Sequence, residues 1–190
     1  MNTVNRKITL MRHGQPNLAM FGKVSVRDMQ GWIAQYDRSE IINQPAPEAS
    51  VGLAAAAKVI VSSSAPRALT SVRALGLAPT LVDEIFREAQ LPYGRWTLPR
   101  LSPFTWAFIL RVLWLCGFSG KVESARKARV RANTAAQRHQ SLASEGPVLL
   151  LGHGFMNRMI GKQLKAAGWT QERSDGNRYW SAKVYRMNQG

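Results

Sequence analysis

Ile8-Thr9-Leu10-Met11-Arg12-His13-Gly14 opens the readable part of the chain. A mostly apolar run of strand length ends abruptly on a guanidinium, an imidazole and a glycine. This is the pattern of a buried strand that hands its last residues to a functional loop. Glycine at the third place lets the backbone turn sharply and come close to an anion. The same arrangement recurs late in the chain. Val148-Leu149-Leu150-Leu151 runs into Gly152-His153-Gly154, and residues 155–167 follow with Met156, Met159, Ile160 and Leu164 at helical spacing. Between them, residues 58–61 form a second apolar run that ends in Ser62-Ser63-Ser64. Pro66 then stands where a helix can begin, which makes residues 67–75 a helix with Arg67 in its first turn.

Three strand-to-helix junctions argue for a mainly parallel α/β sheet, in which ligands gather outside the carboxyl ends of the strands. His13, Arg67 and His153 are therefore expected in one crevice. The remaining elements are a strand at 80–82, helices at 104–116 and 123–144, and an alternating edge strand at 179–186. Pro92, Pro99 and Pro103 punctuate the irregular stretch before the first of these helices. The expected architecture is one domain over residues 1–190: a three-layer sandwich, its mainly parallel central sheet flanked by helices, with a helical cap inserted at about 89–122.

Composition narrows the function classes. With 26 Lys and Arg against 11 Asp and Glu, the formal charge is +15, which attracts anionic partners. Cys116 is the only cysteine, which excludes an intrachain disulfide and the Cys-His spacings of structural zinc. Residues 1–7 are polar and carry no apolar signal core, so a cytoplasmic location is expected. The apolar run at 104–118 includes Arg111 and falls short of the roughly 20 residues of a spanning helix. It reads first as a buried or pocket-covering helix and second as a membrane-surface contact.

In combination and order, these motifs resemble the histidine phosphatase superfamily, the phosphoglycerate-mutase-like group. Leu10-Met11-Arg12-His13-Gly14 is similar to its first hallmark, Ser62-Ser63-Ser64-Ala65-Pro66-Arg67-Ala68 to its second, Asp83-Glu84-Ile85-Phe86-Arg87-Glu88 to its third and Leu151-Gly152-His153-Gly154 to its fourth. The resemblance implies His13 as the phosphate-accepting nucleophile, Arg12 and Arg67 as phosphate ligands, and His153 as a phosphate-binding residue that stabilises the transferring group. It implies Glu88 as the proton donor, with Glu84 as its competitor. It implies no metal and no cofactor. The chemistry is consistent with those roles: phosphoryl transfer needs a placed nucleophile, positive groups around the equatorial oxygens and an acid for the leaving oxygen. Arg12 and Arg67 should keep His13 unprotonated by like-charge repulsion, and partial burial should favour the protonated acid at Glu88.

The first motif continues with Gln15-Pro16-Asn17, and residues 24–36 replace the segment usual in relatives, so the substrate side of the pocket departs from the family pattern. Ala89-Gln90-Leu91-Pro92 after Glu88 lacks the longer motif of glycolytic mutases. A phosphatase acting through a phosphohistidine on a phosphate monoester or phosphoprotein is therefore expected ahead of a mutase or a non-catalytic anion-binding module. The expected partner is a small phosphorylated substrate or a phosphoprotein, with nucleic acid unsupported by any motif. His139, among polar residues, reads as solvated. Arg126, Lys127, Arg129 and Arg131 read as a solvated basic face or a docking surface for an acidic partner. Trp106, Phe108, Trp114 and Phe118 read as packing or as an apolar wall for a bulky substrate.

Overall fold

A computed structural model describes residues 6–19 and 22–187, so most of the polar leader read at 1–7 lies outside the described residues. Six strands form one sheet: β1 (Lys7–Arg12), β2 (Val59–Ser63), β3 (Leu81–Asp83), β4 (Val148–Gly152), β5 (Trp169–Ser174) and β6 (Ala182–Met187), in the order β3-β2-β4-β1-β6-β5. β3, β2, β4 and β1 are parallel. β6 runs antiparallel to β1, and β5 antiparallel to β6. The six helices are α1 (Met29–Arg38), α2 (Glu48–Ala55), α3 (Pro66–Ala74), α4 (Pro103–Leu115), α5 (Ala125–Leu142) and α6 (Gly154–Ala166).

The continuous apolar stretch of β4 is explained by burial on both faces. Val148 and Leu150 pack with Ile8, Leu10, Val59 and Val61 beneath α5 and α6, in a core that includes Ala132, Ala136, Ile160 and Leu164. Leu149 and Leu151 point the other way, to Met11, Ile60, Ala54 of α2 and Val72 of α3. The sheet is thus the middle layer of three. A third cluster lies apart from the sheet, where Val26, Met29 and Trp32 meet Trp106 and Leu110, joining α1 to α4.

Two expectations change. The stretch read as an edge strand at 179–186 is β6, paired on both sides. The edge is β5, whose Thr-Gln-Glu-Arg-Ser run carries no apolar alternation to announce it. His139, read as solvated, is completely buried. Its Nδ1–H donates to the Ala135 carbonyl at 2.8 Å, and its ring meets Phe86 edge-on at 4.8 Å. The polar neighbours in sequence lie on the other side of α5, whose inward stripe is Ala128, Ala132, Ala135, Ala136 and His139.

All three histidines are buried. Burial, opposed by the Ala135 bond, lowers His139 to about 4. A histidine whose folded pKa lies below its unfolded value leaves the unfolded state the better proton acceptor. Its contribution to stability is complete above about pH 6.5 and is lost as the pH falls toward 4, amounting to about 3 kcal/mol for His139 alone. Urea unfolding midpoints should therefore fall steeply between pH 7 and 5, and His139→Leu should flatten that slope. Midpoints that do not move with pH, or an unchanged slope in the variant, would contradict this account.

Candidate active site

The backbone itself brings the remote motifs together. His13 N–H donates to the Gly152 carbonyl at 3.0 Å, extending the β1–β4 pairing one residue past the strand and setting His13 beside His153. Gly14 N–H donates to Ser71 Oγ at 2.9 Å, and the Ser71 hydroxyl donates to the Arg67 carbonyl at 2.6 Å, one turn earlier on α3. Position 14 requires glycine for space, because a Cβ there would come within 2.7 Å of the Trp180 indole. The two imidazoles end with ring centroids 5.2 Å apart and planes at 62°.

The tautomer of His13 follows from its partner. Nδ1 lies 2.7 Å from the Gly14 carbonyl, which can only accept, so Nδ1 carries the hydrogen and Nε2 holds the free lone pair. Burial first, then the Arg67 and Arg12 guanidiniums, lower its pKa to about 3 against the opposing Gly14 bond. At any ordinary pH His13 is therefore neutral, with its ring oriented and its Nε2 lone pair free. His153 is likewise held well below its usual value, by burial first and then by Arg67 and His13. Its Nε2 lies 2.8 Å from Ser63 Oγ, and Ser63 Oγ accepts from Ala65 N–H at 3.2 Å. His153 Nδ1 is buried with no partner among the described residues.

Arg67 is buried rather than turned to solvent. Its Nη1 donates to the Tyr36 carbonyl at 2.9 Å, its Nη2 lies 3.4 Å from Asp37 Oδ1, and its guanidinium sits 4.5 Å from the centre of the Tyr36 ring. Arg12 donates from Nη1 to the Asn177 carbonyl at 2.7 Å and lies 4.3 Å over the Tyr179 ring. Carbonyls and aromatic faces orient these cations without cancelling their charge, and among the described residues the one ion pair to either is that of Arg67 with Asp37. Each arginine also keeps a buried Nε with no partner among the described residues. Buried donors without acceptors are rare, and the two guanidiniums that carry them stand close enough to both imidazoles to hold their pKa values down. The arrangement suits a tetrahedral anion.

Glu88 lines the same pocket. Its Oε1 accepts from Ala89 N–H and Met156 N–H at 3.0 and 2.7 Å, and its Oε2 from Phe155 N–H at 3.0 Å. The carboxylate therefore satisfies the first turn of α6. Three of its roughly four lone-pair positions are filled, which leaves one free on Oε2. Glu84 stands further out, 81% exposed and 3.8 Å from Arg87 Nη1. Arg131, read as part of a solvated basic face, turns inward. It donates to the carbonyls of Ile85 and Arg87 at 2.9 and 2.7 Å and pairs with both oxygens of Glu123. The turn that carries Glu88 is thereby clamped.

Above these groups opens a cavity of about 1100 Å³. Its walls include Trp32, Ile33, Phe104, Phe108 and Phe155, and its polar lining includes Arg87, Arg111 and Lys121. Of the aromatics singled out in the sequence, Trp106 and Trp114 are buried packing residues, whereas Phe108 is exposed at the pocket. Tyr36, Asp37, Ser63 and Tyr179 are site residues that sequence reasoning missed. Tyr179 lies 5.8 Å from the His13 ring centre. Their partnerships are tertiary, so no local signal marks them; only the position of Ser63, inside the second motif, was a pointer.

No family model and no curated protein sequence matches the chain. Solved structures do. An open reading frame product of Mycobacterium tuberculosis superposes with a TM-score of 0.59 at 16% identity, over 98% of this chain and 96% of that one. A mutant phosphoserine phosphatase of Entamoeba histolytica bound to phosphoserine gives 0.56 at 19%, over 84% and 80%. A mycobacterial glucosyl-3-phosphoglycerate phosphatase in complex with VO3 gives 0.55 at 20%, over 94% and 92%. At these identities the likeness establishes the fold. The chain has the α/β fold of these structures, in keeping with the mainly parallel three-layer architecture expected from its sequence.

Proposed function

We propose that the chain is a phosphatase that hydrolyses a phosphate monoester through a phosphohistidine on His13. The observation that carries this reading is the convergence of His13, His153, Arg12 and Arg67 from three remote stretches, with two guanidinium Nε donors unpartnered among the described residues and His13 Nε2 bearing a free lone pair. The fold is shared with a phosphoserine phosphatase and a glucosyl-3-phosphoglycerate phosphatase, which supports the same reading.

In the first half-reaction His13 Nε2 forms a bond to phosphorus while the ester P–O bond breaks, and the leaving oxygen takes a proton held on Glu88 Oε2. Arg12, Arg67 and His153 Nδ1–H bind the equatorial oxygens, where charge spreads during transfer. Ser63 Oγ–H donating to His153 Nε2 would set that tautomer. In the second half-reaction Glu88 draws a proton from water, the water oxygen bonds to phosphorus, and the N–P electron pair returns to His13. The guanidiniums supply the positive charge, and no step is routed through a metal.

The aromatic walls and the volume of the pocket favour an ester with a bulky organic group over a small one. Turnover of a chromogenic aryl phosphate in the presence of a chelator tests the proposal. Steady release of inorganic phosphate is expected. Tight phosphate binding without release would instead make the chain an anion-binding module.

A further inference from the structure

The outer face of α4 carries an apolar surface that the pocket uses only in part, at Phe104 and Phe108. Trp106, Leu110 and Trp114 turn inward, but Phe104, Phe108, Val112 and Leu115, spaced by four, four and three residues, are 62, 71, 44 and 55% exposed. The adjoining loop adds Trp96 and Leu98, at 51 and 75%. Trp96 stacks on Phe118 with centroids 6.0 Å apart, which joins the loop to the C-terminal end of α4. A soluble helix ordinarily shows polar residues outward, and a contiguous apolar patch of this kind marks an interaction site.

Charge identifies the partner. The 34 residues at 89–122 contain no Asp or Glu, and their ionic groups are Arg95, Arg100, Arg111 and Lys121. Arg95, Arg100 and Lys121 are exposed at the margin of the patch. Arg100 Nε donates to the Lys23 carbonyl, and Arg27 N–H to the Trp96 carbonyl, which brings two more basic residues beside the loop. Asp28, on the neighbouring turn, has its carboxylate engaged by Ser25 N–H and Oγ–H. A second copy is a poor occupant, because an isologous contact would set this basic rim against itself on a chain of charge +15. Aromatic and aliphatic groups outward, bordered by arginine and lysine, match the boundary between acyl chains and anionic headgroups.

We propose that α4 and the loop at 94–100 dock this protein on the surface of an anionic bilayer. α4 lies flat in the interface, with Phe104, Phe108, Val112 and Leu115 among the upper acyl chains and Arg95, Arg100 and Lys121 at the lipid phosphates. No helix of the described residues is long and apolar enough to cross a membrane, so the contact is peripheral. Because Phe104 and Phe108 also line the pocket, docking brings its mouth to the lipid surface.

Flotation of the full chain with vesicles tests this directly. Vesicles of phosphatidylcholine with phosphatidylglycerol should carry the protein, and vesicles of phosphatidylcholine alone should carry far less. Leu98→Glu with Leu115→Glu should lower partition onto the anionic vesicles roughly tenfold or more. Arg95→Glu with Arg100→Glu, a pair on an exposed loop, should do the same, and added salt should weaken wild-type binding. Melting curves matching wild type establish that both variants are folded. Absence of flotation on either vesicle, or equal flotation of wild type and both variants, overturns the proposal. So does a wild-type dimer in sedimentation velocity that the leucine substitutions dissociate, which would assign the face to self-association.

Discussion

Replacing His13 with alanine should lower kcat/KM for an aryl phosphate by about 10⁴-fold or more, while the protein remains folded. The expected size follows from the role: removing a covalent nucleophile deletes a pathway, whereas removing a ligand weakens one. The fold should tolerate the change. Among the described residues the His13 side chain makes one hydrogen bond, to the carbonyl of the adjacent Gly14, and the backbone bond from His13 to Gly152 survives any substitution but proline. His13→Asn, which keeps a donor for Gly14, should be equally inactive. Parallel kinetics of the two variants and wild type measure this. Activity within tenfold of wild type in either would remove His13 from the chemistry.

Arg67→Met should cost about 10²- to 10³-fold in kcat/KM, and its effect on His13 separates an electrostatic role from mere packing. Arg67 is the largest cause after burial of the lowered His13 pKa. Its loss should move His13 upward from about 3 toward the ordinary imidazole value, so that the variant loses activity on the acid side where wild type does not. Arg67→Lys should restore much of the charge effect but less of the rate, since a point charge replaces a fork that reaches Tyr36 and Asp37 at once. A histidine NMR titration alongside pH–rate profiles checks both. An unmoved His13 resonance would show that the two groups are not coupled as described.

Those two residues were legible in the sequence for one reason. Each belongs to a junction that follows an apolar strand, His13 just past β1 and Arg67 in the first turn of the helix after β2, where the sheet's parallel topology projects side chains into a common crevice. The same logic set β1, β2 and β4 and the helices α3 and α6 that follow β2 and β4. It failed where burial is not periodic. β5 is a polar edge strand, and α2 is a small-residue helix, Glu-Ala-Ser-Val-Gly-Leu-Ala-Ala, that gives no apolar stripe. α1 begins within residues 24–36, where no motif guided the reading, yet supplies the Tyr36 and Asp37 that orient Arg67.

Two misreadings share a cause. His139 and Arg131 both sit among cations and polar groups on α5, and local composition suggested solvent for each. Helical geometry instead turns His139 onto Phe86 and carries Arg131 to the turn before Glu88. The apolar run at 104–118 was only half buried for the same reason: its period puts Trp106, Leu110 and Trp114 inward and leaves an equally apolar face outward.

The covalent intermediate is the most direct test of the account. Wild-type protein mixed briefly with substrate and quenched in alkali, which preserves an N–P bond, should yield by mass spectrometry one added phosphoryl group on the peptide carrying His13. The group should sit on Nε2, because Nδ1 is committed to the Gly14 carbonyl. Phosphate found on His153 or on any other residue, or turnover with no phosphorylated His13 at any quench time, would contradict the assignment.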